Sequence, residues 1–260
     1  MVNHHKLICG ILGYPLKKPR SIPIWKNYFL KNNINSSMEK FEIENKKLNS
    51  FMSSIKQNRK FLAMAITMPY KKKILKYASK LDDFAKKSGS INLLIKNKKK
   101  LLGFNTDVYG AIETIKYQIK KYDKIIIFGL GGTGSALFNY MKKTYPQKDY
   151  IIITSKKKIV KSRKVKFKKI ISKDLLREKS LIVNCTPLGS NLKKIYENKT
   201  PIKKKMFPYI NKSSFVFDII YSPKKTLLLK YSKKFKINCT NGIKMNTMQA
   251  QKALQFVFKK

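Results

Sequence analysis

The sequence is poor in the residues that mark several classes of protein. Its three cysteines, Cys9, Cys185 and Cys239, fit neither a disulfide framework nor a zinc site in number or spacing. No apolar run approaches the roughly 18 residues of a membrane-spanning helix. The N-terminal apolar run is too short for a signal peptide, and a G-Y-P tripeptide follows where a cleavage site would be. We therefore expect a protein of the reducing cytoplasm, with no metal site and no membrane contact.

Acidic residues and arginine are also scarce. Thirteen Asp and Glu stand against 59 Lys and Arg, which gives a net charge of +46 in 260 residues. Only four of the basic residues are arginine, although the rigid guanidinium fork is what proteins use most to read phosphates and base edges. The abundant residues (Lys, Asn, Ile, Phe, Tyr) have A/T-rich codons. We therefore favour an AT-biased genome, with lysine at solvent-facing positions, over specific nucleic-acid binding.

Short apolar strands alternate with helical stretches along the whole chain. This alternation predicts an α/β fold with parallel sheets, and a lysine-rich turn predicts one hairpin, between 91–95 and 101–104. Two clusters of strands, separated by a helix, indicate two lobes with a cleft between them. The predicted strands lie at 7–12, 37–43, 61–66, 91–95, 101–104, 124–128, 150–154, 165–170, 181–183 and 215–219, and the predicted helices at 22–32, 46–57, 70–80, 107–120, 133–144, 173–178, 224–235 and about 243–258.

The strongest local pattern is a glycine-rich loop between a strand and a helix. Gly129, Gly131 and Gly134 have G-x-G-x-x-G spacing directly after an isoleucine-rich strand. In this pattern the first glycine permits a tight turn, the second lets backbone approach a pyrophosphate, and the third lets the helix pack on the sheet. The helix N-terminus then offers N–H groups to the anion. We predict a dinucleotide site here that also includes Gly132 and Thr133; a tight turn that binds nothing is the weaker alternative.

The next strand indicates which dinucleotide is bound. An NAD site places Asp or Glu at the end of this strand, where it binds the ribose 2′-hydroxyl. This chain instead continues with Ser155 and Lys156, followed by two more lysines. Cations suit a 2′-phosphate, although lysine is so common here that the missing acid carries more weight. The sequence therefore predicts NADP as the cofactor, with Ser155 and Lys156 at the 2′-phosphate.

Two segments before the glycine-rich loop carry a lysine and an aspartate in unusual settings. Lys71 follows the sequence A-I-T-M-P-Y, in which Pro69 stands at a predicted junction from strand to helix. Asp107 follows G-F-N-T, where a hairpin strand passes into a helix. Asp107 suits a helix N-terminus as a cap, as do Asn105 and Thr106. Spacing alone favours neither helix capping nor a functional role for Asp107.

Taken in order, these segments resemble the motifs of the shikimate dehydrogenase family. Four of them lie in the first half of the chain. Residues 13–21 are similar to G-x-P-x-x-x-S-x-S-P, 65–71 to N-V-T-x-P-[FY]-K, 89–93 to G-A-x-N-T and 103–107 to G-x-N-T-D. Later, 184–189 resemble N-[AC]-T-[PS]-x-G, 218–221 resemble D-x-x-Y and 242–249 resemble G-x-x-M-x-x-x-Q. Departures from the family pattern fall at Pro19, Ile22, Ala65 and Leu93.

The resemblance implies a function and a role for each matching residue. It implies reversible, NADP-dependent reduction of 3-dehydroshikimate to shikimate by hydride transfer, in chorismate and aromatic amino-acid biosynthesis. Lys71 would stabilise the developing alkoxide and supply a proton, with Asp107 orienting it. The resemblance further implies substrate contacts from Ser21, Thr67, Asn92, Tyr221 and Gln249, and cofactor contacts from Thr186 and Gly242.

The resemblance also assigns the two lobes. Residues 1–105 with 241–260 would form the substrate-binding domain, and 106–240 a Rossmann-like dinucleotide-binding domain. We expect a small-molecule substrate as partner, a monomer or homodimer, and no specific nucleic acid. Two alternatives stay open. One is a quinate/shikimate dehydrogenase with another cofactor preference. The other is a basic nucleic-acid-binding protein on a decayed dehydrogenase scaffold, which only the high net positive charge supports.

Overall fold

The structure is a computed structural model that describes residues 6–17, 19, 21–155 and 164–258. It divides into two compact units. The first consists of the chain up to Thr106 together with the residues from Gln249 onward, and the second is Asp107–Met248. Each unit contains strands and helices around its own sheet, so the α/β fold class is confirmed. No helix in the described ranges has both the length and the hydropathy needed to cross a bilayer.

The sheet of the first unit has six strands within the described residues. Their order is β2-β1-β3-β5-β6-β4, and β5 runs against the other five. The hairpin predicted from the lysine-rich turn is the β5–β6 pair, with Lys98 at φ 54 in the turn. The strands are β1 (Leu7–Gly13), β2 (Ser36–Glu42), β3 (Phe61–Ile66), β4 (Lys80–Leu81), β5 (Leu93–Asn97) and β6 (Lys100–Phe104), and the helices are α1 (Ser21–Lys31), α2 (Leu48–Gln57) and α3 (Asp83–Ser88).

The sheet of the second unit also has six described strands, all parallel, in the order β12-β11-β10-β7-β8-β9. Counted from β7, this is the 3-2-1-4-5-6 order of dinucleotide-binding folds. The strands are β7 (Lys124–Phe128), β8 (Asp149–Ile153), β9 (Val165–Lys168), β10 (Leu181–Asn184), β11 (Phe215–Asp218) and β12 (Asn238–Thr240), and the helices are α4 (Thr106–Lys121), α5 (Gly132–Thr144), α6 (Lys173–Arg177), α7 (Leu227–Lys234) and α8 (Ile243–Phe258).

Burial in the two units follows from these topologies. Ile125, Ile126 and Ile127 of β7 are completely buried, as expected for a central parallel strand covered on both faces. The end of α8 belongs to the first unit, where Phe256 stacks on Phe104 with ring centroids 4.5 Å apart. The C-terminal residues of the chain therefore complete the core of the N-terminal sheet.

The helix predicted at 70–80 is wrong. This segment is a turn followed by a 3-10 helix at Lys73–Tyr77 and the short strand β4. The carbonyl of Lys71 accepts a hydrogen bond from the backbone N–H of Ile91 at 2.7 Å, which takes it out of any helical ladder. The N–H of Leu75 bonds to the carbonyl of Lys72, with the three-residue spacing of a 3-10 turn. A tertiary hydrogen bond thus overrides the local helical pattern.

Candidate active site

The first glycine of the loop after β7 occupies a backbone conformation that requires glycine. Gly129 has φ +88, and its N–H donates to the carbonyl of Ile153 on β8 at 2.9 Å. A Cβ on Gly129 would lie 2.8 Å from Cγ2 of Thr186. The left-handed backbone and the close neighbour both exclude a side chain.

The third glycine is fixed by packing. A Cβ on Gly134 would lie 2.2 Å from the carbonyl oxygen of Gly129 and 2.9 Å from Cβ of Cys185. The first turn of α5 therefore lies directly against the end of β7 and the start of the turn after β10. This is the close helix–strand approach that the G-x-G-x-x-G spacing predicts.

The two glycines between them face open space. A Cβ on Gly131 or on Gly132 would meet no protein atom within 4 Å. Gly131 is the N-cap of α5, and the first N–H groups of a helix have no partner within the helix. Room beside the backbone together with these donors is what a pyrophosphate needs. The residues present therefore fit a dinucleotide.

The sheet order places this loop where α/β folds bind ligands. The strand order reverses between the neighbours β7 and β10, and ligands bind beyond the carboxyl ends of strands at such a switch point. Gly129 follows β7 and Thr186 follows β10. The structure thus brings Thr186 to the glycine loop, as it brings Thr133 in the first turn of α5.

The end of β8 carries no carboxylate. Residues 150–155 contain neither Asp nor Glu, and the N–H of Thr154 donates to the carbonyl of Lys168 at 2.9 Å. Ser155 is exposed there. Lys156, the other residue predicted at the 2′-phosphate, lies outside the described residues.

A buried polar network, which was not predicted, follows β10 and β11. Asp218 accepts from Nδ2 of Asn184 at 3.0 Å, from the N–H of Ile220 at 3.2 Å and from Oγ1 of Thr226 at 2.6 Å. Oδ1 of Asn184 accepts from the N–H and the Oγ1 of Thr186, at 2.9 and 2.7 Å. The sequence offered two hints, the family motifs at 184–189 and 218–221 and an acid inside the apolar run F-V-F-D-I-I.

The environment of Asp218 changes its titration. Its side chain is completely buried, and desolvation raises the pKa of the carboxyl to about 6 despite the hydrogen bonds from Thr226, Ile220 and Asn184. Burial raises the pKa of the Cys185 and Cys239 thiols, and the charge of Asp218 adds a smaller contribution in the same direction. At Cys239 the charge of Lys233 acts in the opposite direction.

Gly242 and Tyr221 lie near the same end of this sheet. The N–H of Gly242 donates to the carbonyl of Ile220 at 3.0 Å, and a Cβ there would lie 2.0 Å from the carbonyl oxygen of Ile219. Only glycine fits that position. Tyr221 is half-buried, three residues beyond the last residue of β11.

In the first unit, one carboxamide joins three separate segments. Oδ1 of Asn92 accepts from the N–H of Thr106 at 2.7 Å, and its Nδ2 donates to Oγ1 of Thr106 at 2.9 Å. Oγ1 of Thr106 also lies 3.3 Å from Oε1 of Gln249 on α8. Asn92, Thr106 and Gln249 are therefore adjacent, although 157 residues separate the first from the last in sequence.

Lys71 lies next to this group. Its carbonyl bonds to the N–H of Ile91, the residue before Asn92. Tyr70 is completely buried and its hydroxyl donates to the carbonyl of Ile43, which anchors the turn. Lys71 is half-buried, whereas Lys72 and Lys73 are exposed. The chain therefore distinguishes Lys71 from the lysines that follow it.

Asp107 is the residue after Thr106. Helix α4 starts at Thr106, so Asp107 stands in its first turn and is half-buried. The residue before the helix, Asn105, donates through Nδ2 to Oγ of Ser88 at 3.0 Å and to Oγ of Ser90 at 2.9 Å. This buried support of the 105–107 segment was not predicted, because it depends on residues from α3 and the turn after it.

Thr67 and Ser21 lie on the segments that flank β1. A Cβ on Gly13 would lie 2.5 Å from Cγ2 of Thr67, whose N–H donates to the carbonyl of Leu12 at 2.9 Å. Ser21 is the first residue of α1. In the segment between β1 and α1, the N–H of Leu16 donates to the carboxylate of Glu42 at 2.8 Å. That hydrogen bond, more than the nearby Lys40, lowers the pKa of Glu42.

Two departures from the family motifs are neighbours in the sheet. Ala65 on β3 pairs with Leu93 on β5, and Leu93 is 1% exposed within the core that includes the end of α8. Where the motifs have Asn and Thr, this chain thus has two apolar residues side by side. Neither apolar side chain needs a hydrogen-bond partner at these paired positions.

Comparison with known proteins gives the family. A sequence model described as "Shikimate dehydrogenase substrate binding domain" matches residues 11–94. The shikimate dehydrogenase (NADP(+)) of Clostridium botulinum is 32% identical over 252 residues, which cover 94% of this chain and 94% of that protein. The chain belongs to the shikimate dehydrogenase family. The family predicted from the sequence motifs is therefore confirmed.

Solved structures of shikimate dehydrogenases share the fold. A chorismate mutase/shikimate 5-dehydrogenase fusion protein from Clostridium acetobutylicum is 27% identical, with a TM-score of 0.79 over 97% of this chain and 90% of that one. Shikimate 5-dehydrogenase from Listeria monocytogenes, in complex with shikimate and NAD, is 23% identical, with a TM-score of 0.82 over 100% and 94%. The second likeness bears on the fold alone.

Substitutions at Gly131 and Gly134 test the dinucleotide cradle. In Gly131→Ala the methyl group meets no protein atom, so the unfolding free energy in urea should change by at most about 1 kcal/mol, as for a poorer N-cap. NADPH binding, followed by fluorescence, should weaken at least tenfold because the methyl group occupies ligand space. Gly134→Ala should instead cost about 1–3 kcal/mol of stability through overpacking. Unchanged NADPH affinity in Gly131→Ala would move the dinucleotide away from this loop.

The buried Asp218 carboxyl makes stability depend on pH in a defined window. Between a pKa of roughly 4 for an unfolded aspartate and about 6 in the fold, the folded state binds more protons. The stabilisation that comes from this extra bound proton is complete below the window and is lost as the pH rises through it. The unfolding free energy of the wild type minus that of Asp218→Asn should fall by about 2 kcal/mol from pH 4 to pH 7. A difference independent of pH would contradict the assignment.

Proposed function

We propose that this protein is an NADP-dependent shikimate dehydrogenase, which reversibly reduces 3-dehydroshikimate to shikimate in chorismate and aromatic amino-acid biosynthesis. One observation carries the proposal. In the first unit, the carbonyl of Lys71 is bonded to Ile91, the residue before Asn92. The side chain of Asn92 is bonded to Thr106, whose hydroxyl in turn contacts Gln249. The family motifs assign catalysis to Lys71 and substrate contacts to Asn92 and Gln249, in a chain whose curated relatives bear that name.

Lys71 and Asp107 are the catalytic residues in this proposal. Bound NADPH supplies the hydride. The ammonium of Lys71 stabilises the negative charge that develops on the substrate oxygen and gives it a proton. Asp107 orients that ammonium. The half-buried position of Lys71 beside the anchored Tyr70 supports this role, because a fixed backbone limits the positions its Nζ can take.

The substrate is a small polyhydroxy carboxylate, which needs several hydrogen-bonding side chains. Asn92 donates one hydrogen of its Nδ2 to Thr106, and the second can serve a substrate hydroxyl. Thr67 and Gln249 contribute further hydroxyl contacts. Ser21, at the start of α1, receives the carboxylate together with Tyr221.

NADP is held by the second unit. Gly129, Gly131, Gly132, Thr133 and Gly134 form the pyrophosphate cradle, and Thr186 and Gly242 contribute contacts from the ends of neighbouring strands. Ser155 and Lys156 take the 2′-phosphate. The absence of any acid in 150–155 supports NADP over NAD.

Each of the two domains has its own role in this proposal. Residues 1–105 with 241–260 bind substrate, and 106–240 bind the dinucleotide. The compact units support this, with a second boundary inside α8, between Met248 and Gln249. The protein acts in the cytoplasm as a monomer or homodimer and binds no specific nucleic acid, in keeping with its few arginines.

A spectrophotometric assay tests the function directly. Oxidation of shikimate and of quinate is followed at the NADPH absorbance band, each with NADP and with NAD. We expect turnover of shikimate with NADP, and a lower Michaelis constant for NADP than for NAD. Turnover of quinate with NAD at equal or greater efficiency would make the protein a quinate/shikimate dehydrogenase. No turnover with any pair would refute the proposal.

Lys71→Ala should lower kcat for shikimate at least a hundredfold, because no other group can supply the charge and proton at that place. NADPH affinity should be unchanged. Lys72→Ala is the matched control, since this neighbouring lysine is exposed, and it should keep near-normal turnover. Equal losses in the two variants would remove Lys71 from the catalytic role.

Asp107→Asn separates catalysis from helix stabilisation. Asparagine keeps the shape but removes the charge that orients Lys71, so kcat should fall at least a hundredfold, about 2.7 kcal/mol of transition-state stabilisation. Asp107 stands in the first turn, where a charge at the helix terminus contributes about 0.3–1 kcal/mol, so the unfolding free energy should change by no more than that. Normal turnover in this variant would leave Asp107 a purely structural residue.

A further inference from the structure

We propose that Asp218 is a positioning residue for the dinucleotide cradle, because its buried carboxylate sets the orientation of the Asn184 amide and so holds the turn after β10 against the glycine loop. This inference rests on the proposed function for its ligand. It adds a residue that contacts neither the reacting atoms nor the cofactor directly.

The carboxylate of Asp218 accepts hydrogen bonds from several groups. Asp218 is the last residue of β11, and its three donors are the amide of Asn184, the N–H of Ile220 and the hydroxyl of Thr226. All three are neutral groups. A buried carboxylate whose partners are all neutral costs stability relative to an uncharged side chain. An asparagine could fill the same space without that cost.

The orientation of the Asn184 amide follows from the chemistry of acceptor and donor. A carboxylate only accepts hydrogen bonds, whereas an amide has one accepting and one donating end. Asp218 therefore fixes Nδ2 of Asn184 toward itself and turns Oδ1 toward Thr186. There Oδ1 accepts from both the N–H and the hydroxyl of Thr186. An uncharged residue at 218 could present a donor as well as an acceptor to Asn184, so the orientation would then depend on the backbone N–H of Thr186 alone.

The turn that contains Thr186 lies against the glycine loop. A Cβ on Gly129 would meet Thr186 and Cys185, and a Cβ on Gly134 would meet Cys185 as well as the carbonyl of Gly129. On the other side, Ile220 accepts from the N–H of Gly242 through its carbonyl while its own N–H is held by Asp218. One carboxylate thus ties together the segments after β10 and β11 and the start of α8, all of which contribute proposed cofactor contacts.

The test compares NADPH affinity with stability in the full-length protein. We expect Asp218→Asn to be at least as stable as the wild type in urea at pH 8, because the buried charge is gone, and to bind NADPH at least tenfold more weakly. The KM for NADP should rise with little change in the KM for shikimate. Asp174→Asn, an exposed aspartate of the same unit (side chain 85% exposed), should leave NADPH affinity unchanged. Loss of stability and affinity together in Asp218→Asn, or unchanged affinity in that variant, would each overturn the inference.

Hydrogen exchange without cofactor keeps the inference separate from the proposed function. In the unliganded protein, Asp218→Asn should speed amide exchange in 184–189 and leave the peptide of β7 unchanged. Unchanged protection of 184–189 would overturn the positioning role. A wild type that fails to bind NADPH but shows this exchange difference would refute the proposed cofactor and leave the positioning of the turn intact.

Discussion

In the second unit, the start of α5 lies so close to the end of β7 that residue 134 can carry no side chain. The carbonyl of Gly129 occupies that space, and this approach fixes where the helix begins. From it follow the open backbone at Gly131 and Gly132, and the place of the helix N-terminus at the reversal of strand order. The turn after β10 closes the other side of the same loop. A shift of α5 by the width of a methyl group would separate these features from one another.

The two units use the same side chain for the same purpose. In each, a buried asparagine near a strand end binds the backbone N–H of a threonine further along the chain: Asn92 binds Thr106, and Asn184 binds Thr186, two residues away. Each such bond contributes only about 1 kcal/mol to stability. Its value is geometric, because a buried amide with both ends bonded has one orientation. Neighbouring residues that must contact a ligand then inherit that orientation.

Local patterns in the sequence were sufficient for the glycine loop, because every constraint on Gly129, Gly131 and Gly134 arises within a strand, a turn and a helix. The family motifs predict Lys71, Asn92 and Asp107 as site residues, and the structure places Asn92 in hydrogen-bond contact with Thr106, the residue before Asp107. The helix predicted at 70–80 was wrong because the carbonyl of Lys71 is bound by Ile91, a partner 20 residues away. The supports at Asp218, Glu42 and Asn105 were missed since each depends on segments that meet only in the folded chain.

The pairing of Ala65 with Leu93 constrains how this sequence can change. At these positions the family motifs have Asn and Thr, and here both are apolar in register on adjacent strands. Introducing one polar residue alone would place it against a hydrocarbon neighbour, at a cost of about 1–3 kcal/mol. The two positions are therefore energetically coupled: the stability cost of a substitution at one depends on which residue occupies the other.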